Sequence, residues 1–81
     1  MPVQISPELL AILNTVIANK GGEPLASVCG GSRLREDLGF DSLDLAELTA
    51  RIDHRFHVDV FAQGVVAKIG EVQDLIDRQR G

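Results

Sequence analysis

Ser42 stands between two carboxylates, Asp41 just before it and Asp44 just beyond, in the stretch Leu38-Gly39-Phe40-Asp41-Ser42-Leu43-Asp44. A serine in such a setting has three possible roles: to cap a helix, to act as a nucleophile, or to be a point of attachment. A nucleophile needs a base, and the candidates are His54 and His57. If one helix runs through this region, His54 stands about 18 Å from Ser42 at ~1.5 Å per residue, far beyond hydrogen-bond reach. His57 is little better placed, and no Gly-x-Ser-x-Gly turn surrounds the serine. Asp53, His54 and His57 offer two histidines at i, i+3 spacing, but one nearby carboxylate and no second cluster make a poor metal set, so exposed helix-end histidines are the plainer reading. Cys29 is the one cysteine and forms no internal disulfide. With Arg33 its sole basic neighbour, it reads as a small buried or loop residue rather than a reactive thiol.

The elements that must position Ser42 are legible in the apolar spacing. Ser6-Pro7-Glu8 supplies a cap hydroxyl, a proline at the first helical position and an acid in the first turn. Leu9, Leu13, Val16 and Ile17 follow at helical intervals until Gly21-Gly22, which predicts a helix over about 7–20. The stretch from Gly21 to Leu38 is broken by Gly22, Pro24, Gly30 and Gly31 and reads as a long connection with one turn near Leu34-Arg35-Glu36. A second helix starts at or beside Ser42, capped by Asp41 or Ser42, and ends near His57. Leu45, Leu48, Ile52 and Phe56 form its core stripe, with Asp44, Glu47, Arg51 and His54 on the solvent side. Val58 to Phe61 is extended but has no partner strand, so it is a connection. A short helical turn is expected around Gln63 to Ala67, and an amphipathic helix over about 70–79 carries Ile69, Val72, Leu75 and Ile76. Ser42 is thus exposed at a helix start, where free N–H groups and the positive end of the dipole favour an anion such as a phosphate ester.

With 81 residues the chain is one domain, residues 1–81, with a small core and little room for a catalytic cleft. The net charge of −4 and the absence of a long Lys/Arg run exclude the basic footprint of nucleic-acid binding. No apolar run approaches the roughly 18 residues of a membrane span, and the N-terminus lacks the pattern of a signal peptide. The sequence reads as a cytoplasmic monomer without membrane or nucleic-acid partner. The opening Met-Pro and the lack of linker composition suggest a freestanding protein.

These residues together resemble the acyl and peptidyl carrier proteins, which hold a 4′-phosphopantetheine arm on a serine. The resemblance runs through Leu34, Leu38-Gly39-Phe40-Asp41-Ser42-Leu43-Asp44, Glu47-Leu48, Ile52 and Phe56, then Val58-Asp59-Val60, and Ile69-Gly70-Glu71-Val72 with Leu75-Ile76. It implies an all-α fold, a four-helix bundle with a short third helix, in which Ser42 is the attachment serine and the helix it opens meets partners. The implied function is non-catalytic carriage of acyl or aminoacyl groups as thioesters on the arm. The implied partners are a phosphopantetheinyl transferase, an acyl- or aminoacyl-loading ligase or acyltransferase, and the synthase or other enzymes of polyketide, nonribosomal peptide or fatty acid biosynthesis.

Asp41, Asp44 and Glu47 keep the family's acidic pattern, which steers encounter with basic surfaces. Arg51, His54 and Arg55, with the non-acidic stretch Ala62 to Val66, depart from carriers of primary fatty acid synthesis and point to secondary metabolism. Leu43, Ala46 and Ala50 add a small-residue stripe that suits a close-fitting partner, a differently placed cargo, or simple drift on an exposed face. The expected partner contacts are therefore Asp41, Leu43, Asp44, Ala46, Glu47, Ala50, Arg51 and Arg55. The rival reading is a carrier-like docking scaffold that never receives the arm. Fatty acyl, polyketide, amino acid and aryl acid cargoes all remain open.

Overall fold

In the computed structural model, which describes residues 4–60 and 67–80, three helices follow one another: α1 over Pro7–Asn19, α2 over Ser42–Phe56 and α3 over Ile69–Arg80. The Ser6 hydroxyl caps α1 by accepting from the Leu9 N–H at 3.2 Å, and Pro7 occupies the first turn, where no intrahelical acceptor exists for the missing N–H. Asp41 caps α2, and His57 ends it in the left-handed region at φ 60°, its N–H on the Asp53 carbonyl. At the start of α3 the Glu71 carboxylate accepts from the N–H groups of Ala67 and Lys68, at 3.2 and 2.9 Å.

The apolar stripes meet as the spacing requires. Leu9, Leu13, Val16 and Ile17 from α1, Leu45, Leu48, Ile52 and Phe56 from α2, and Ile69, Val72 and Ile76 from α3 are all buried in one cluster, with Leu75 packed against it. Val58 and Val60 are each 1% exposed although their segment is irregular, so the connection after α2 is pinned by two side chains rather than by strand pairing. The all-α expectation holds for the described residues, whose only β-feature is an isolated Arg33–Lys68 bridge. The short helix expected at Gln63 to Ala67 falls, except for Ala67, outside the described residues. No helix among them is long and apolar enough to cross a membrane.

The long connection between α1 and α2 is laced by its main chain to the approach to α3. Leu34 N–H donates to the Ala67 carbonyl at 2.8 Å, Ile69 N–H to Ser32 at 3.0 Å and Gly70 N–H to Gly30 at 2.9 Å. Gly70 permits this approach, since a β-carbon there would lie 2.8 Å from the Gly30 carbonyl oxygen. Buried Leu34 anchors the following turn, in which Asp37 and Leu38 donate to the Arg33 carbonyl and Gly39 to that of Arg35. The chain thus arrives at Ser42 already fixed in place.

Candidate functional site

Two residues compete to cap α2, and Asp41 is the one that does. Its Oδ1 accepts from the Asp44 N–H at 2.9 Å, while Asp44 Oδ2 reaches back to the Asp41 N–H at 3.1 Å, a reciprocal capping box. Ser42 is therefore the first helical residue, and its hydroxyl is exposed and released from capping. The N–H groups of Ser42 and Leu43 lie at the helix start, where donors have no intrahelical acceptor. Among the described residues, one side chain hydrogen-bonds the hydroxyl: Arg35 Nη2 donates to Ser42 Oγ at 3.3 Å. Gly39 turns the chain toward this point at φ 72°. Nothing lies within 4 Å of a β-carbon placed there, so backbone conformation and not space demands the glycine.

Behind the serine, Lys20 at the end of α1 ties the segment down. Its ammonium donates to the Gly39 carbonyl at 2.7 Å and to Asp44 Oδ2 at 2.6 Å, and lies 5.6 Å from the centroid of the Phe40 ring. The Lys20 ammonium first, and then the Asp41 N–H, hold the Asp44 carboxyl below its ordinary value against the opposing effect of burial. The expectation that Asp44 faces solvent is corrected here: the residue is 8% exposed, because the capping box draws its carboxylate back over the helix start and Lys20 covers it.

Glu47 is also engaged. It accepts from Arg51 Nε at 2.8 Å and from Asn19 Nδ2 at 2.7 Å, and these two contacts, Arg51 foremost, lower its carboxyl pKa. Of the three expected steering acids, Asp41 alone is exposed without a cationic partner within ion-pair distance among the described residues. The remaining expected contacts share the open face of α2. Leu43 is 78% exposed, and Ala46, Ala50, Arg51 and Arg55 are exposed. The Arg55 guanidinium lies 5.5 Å from the Phe56 ring centroid. An open groove of about 630 Å³ is lined from α1 and α2, by Ala11, Ile12 and Ala50 among others, beside the Glu47–Arg51 pair.

His54 and His57 are both exposed, and among the described residues no three His, Cys, Asp or Glu side chains are placed to hold a metal ion. Cys29 is exposed on the connection. The Ser32 hydroxyl, 3.3 Å from Sγ, does most to lower its thiol pKa, followed by the Gly31 backbone, so the neighbour that matters is polar and not Arg33.

A known family matches most of the sequence, Ser42 and its surroundings included. The model described as "Phosphopantetheine attachment site" covers residues 22–78. The chain belongs to the phosphopantetheine-attachment carrier family. Among similar proteins, it is 32% identical over 71 residues to "Acyl carrier protein 3" of Ralstonia nicotianae, covering 88% of this chain and 80% of that one. It is 37% identical over 62 residues to "Acyl carrier protein" of Rickettsia bellii, covering 76% and 71% respectively. No solved structure matches significantly. The family's prosthetic group, covalently attached 4′-phosphopantetheine, fits the chemistry at the start of α2. An exposed hydroxyl stands beside open helix N–H donors and a guanidinium, all suited to a phosphodiester. Lys20 and Arg35 were both missed by sequence reasoning. Lys20 looks like an ordinary helix-end lysine, and Arg35 lies in a turn with no periodicity to mark it.

Proposed function

We propose that Ser42 carries the 4′-phosphopantetheine arm and that this protein passes acyl or aminoacyl groups between biosynthetic enzymes without catalysing their chemistry. The observation that carries the reading is the division of labour at α2, in which Asp41 caps the helix and leaves the Ser42 hydroxyl exposed. When bound, the group supplies a thiol at the end of a long arm, to which acyl groups are held as thioesters. The chain's own residues supply a firm base for that arm. Lys20, Asp44 and the capping box hold the turn, the helix N-terminus favours the phosphate charge, and exposed Leu43 offers an apolar contact beside the attachment point. The similarity to proteins called acyl carrier proteins supports this reading. The partners are a phosphopantetheinyl transferase, a loading ligase or acyltransferase, and synthase enzymes that meet α2 through Asp41, Leu43, Ala46, Glu47, Ala50, Arg51 and Arg55. The mixed charge that Arg51 and Arg55 give to α2 beside Asp41 and Glu47 favours secondary metabolism over primary fatty acid synthesis.

Intact mass of the protein made with a phosphopantetheinyl transferase tests the assignment. A gain of one phosphopantetheinyl group is expected in the wild type and none in Ser42→Ala, while circular dichroism of the alanine variant stays native. Loading of Ser42→Ala would refute Ser42 as the site, and a wild type that is never loaded would favour a docking scaffold.

A further inference from the structure

We propose that Arg35 is the counter-ion of the phosphodiester that Ser42 acquires, an inference that rests on Ser42 being the attachment residue. A phosphodiester on this oxygen brings a negative charge next to Asp41 and Asp44. Lys20 neutralises Asp44, and its ammonium is held on the Asp44 carboxylate and the Gly39 carbonyl. Asp41 has its Oδ1 on the Asp44 N–H and no cation within ion-pair distance among the described residues. Two helix N–H donors carry only partial charge, so a full cation beside the new group improves the charge balance of the site.

Arg35 is where that cation stands. Its Nη2 lies 3.3 Å from Ser42 Oγ, long for an N–H···O bond, as suits a neutral hydroxyl acceptor. The other arginine side chains that the structure describes are occupied. Arg33 faces Glu36 and Asp37, Arg51 pairs with Glu47, Arg78 pairs with Asp74, and Arg55 lies over the Phe56 ring. Arg35 has neither a carboxylate within ion-pair distance nor a ring among the described residues, and its contact is the hydroxyl that is to be modified. Its backbone is preorganised, because the Arg35 carbonyl accepts the Gly39 N–H at 3.0 Å in the turn that delivers Ser42. A phosphodiester shares its one negative charge over two non-bridging oxygens on the same phosphorus as the ester oxygen, and the planar guanidinium fork matches such a pair. A donor already touching Oγ reaches them by rotation of its own side chain.

The test uses the loaded protein and reads the phosphorus itself. Intact mass first establishes loading in the wild type, Arg35→Lys and Arg35→Gln. A wild type that is never loaded would overturn the Ser42 reading and this proposal with it. Loaded samples are then compared by ³¹P NMR at ~0.05 M and ~1 M salt, where the range of an exposed charge shrinks from over ten ångströms to about three. In the wild type the phosphorus line should move with salt toward its position in the unfolded loaded chain. Arg35→Gln should sit near that position at both salts, and Arg35→Lys between the two. The contact is exposed, so the population of paired phosphate should fall by up to about fivefold in Arg35→Gln. On loading, the wild-type Arg35 Nε–Hε resonance should also shift. Identical phosphorus lines in wild type and Arg35→Gln at both salts, with an unmoved Arg35 resonance, would overturn the proposal. If Arg35→Gln fails to fold, the salt response of the wild type and the Arg35→Lys spectrum decide by the same criteria.

Discussion

A hydroxyl at the start of a helix is drawn into capping unless a stronger acceptor precedes it, and Asp41 is that acceptor for α2. The pair of carboxylates flanking Ser42 thus divides into two structural roles, one capping the helix and one closing the box and binding Lys20. The acidic pattern around the serine was plain in the sequence. That Asp44 serves the interior was not, because the lysine that claims it lies 24 residues away and only the packing of α1 on α2 brings them together. This has a consequence for acid stability. Asp44 has its carboxyl pKa depressed in the folded state, so the stability it contributes is fully present above the ordinary carboxylate range. That stability is lost as pH falls through the lower folded value. Lys20→Met removes the main cause of the depression and raises the folded pKa. The variant should therefore start from a lower melting temperature near neutrality, where an almost buried carboxylate has lost its partner, and lose less as pH falls, so that the two curves converge in acid. Thermal melts of both proteins from about pH 6 to about pH 3 measure this, following the linkage between protonation and stability. Parallel curves with equal melting temperatures would show that Lys20 only decorates the surface.

Periodicity made the helices legible at the level of elements. Leu45, Leu48, Ile52 and Phe56 face the core because residues three and four apart share one side of a helix, and the glycines after Lys20 mark the end of α1 as expected. The lacing of Gly30, Ser32 and Leu34 to Gly70, Ile69 and Ala67 left no such trace, because main-chain hydrogen bonds are available to every residue type and carry no side-chain signature. Gly70 is a residue whose type the lacing dictates. Replacing glycine by alanine inside an exposed helix gains about 1 kcal/mol from propensity, but here the new methyl would meet the Gly30 carbonyl at 2.8 Å, and overpacking costs about 1–3 kcal/mol. Gly70→Ala should therefore destabilise the protein in urea titration despite its better propensity. Gly31→Ala, whose β-carbon meets nothing within 4 Å, should be neutral or slightly stabilising. Equal midpoints for the two variants would show that the connection is free to move away from α3.

For the molecule as a whole, the question is what field it presents to another protein. The net charge of −4 suggests an acidic carrier, yet along α2 the charges are largely neutralised from within: Asp44 by Lys20, and Glu47 by Arg51. Arg55 stands exposed a turn beyond Arg51 with its guanidinium on the Phe56 ring. A partner with a uniformly basic surface would meet attraction at Asp41 and repulsion along the arginines, and such like-charge contacts discriminate more strongly than single exposed pairs attract. Arg51→Glu combined with Arg55→Glu reverses two charges, frees Glu47 from its ion pair and extends one acidic stripe from Asp41 along the helix. Acyl transfer from enzymes with basic docking surfaces should then speed up, while transfer from the native loading enzyme slows. Both changes should appear in kcat/KM and shrink as salt rises from ~0.05 to ~0.5 M, as expected of steering between exposed charges. Glu47→Lys makes the opposite change at the first of these turns and should slow basic-surfaced enzymes most. If the double reversal leaves both transfer rates unchanged at low salt, charge on α2 does not choose the partner, and the apolar surface of Leu43, Ala46 and Ala50 must carry the discrimination.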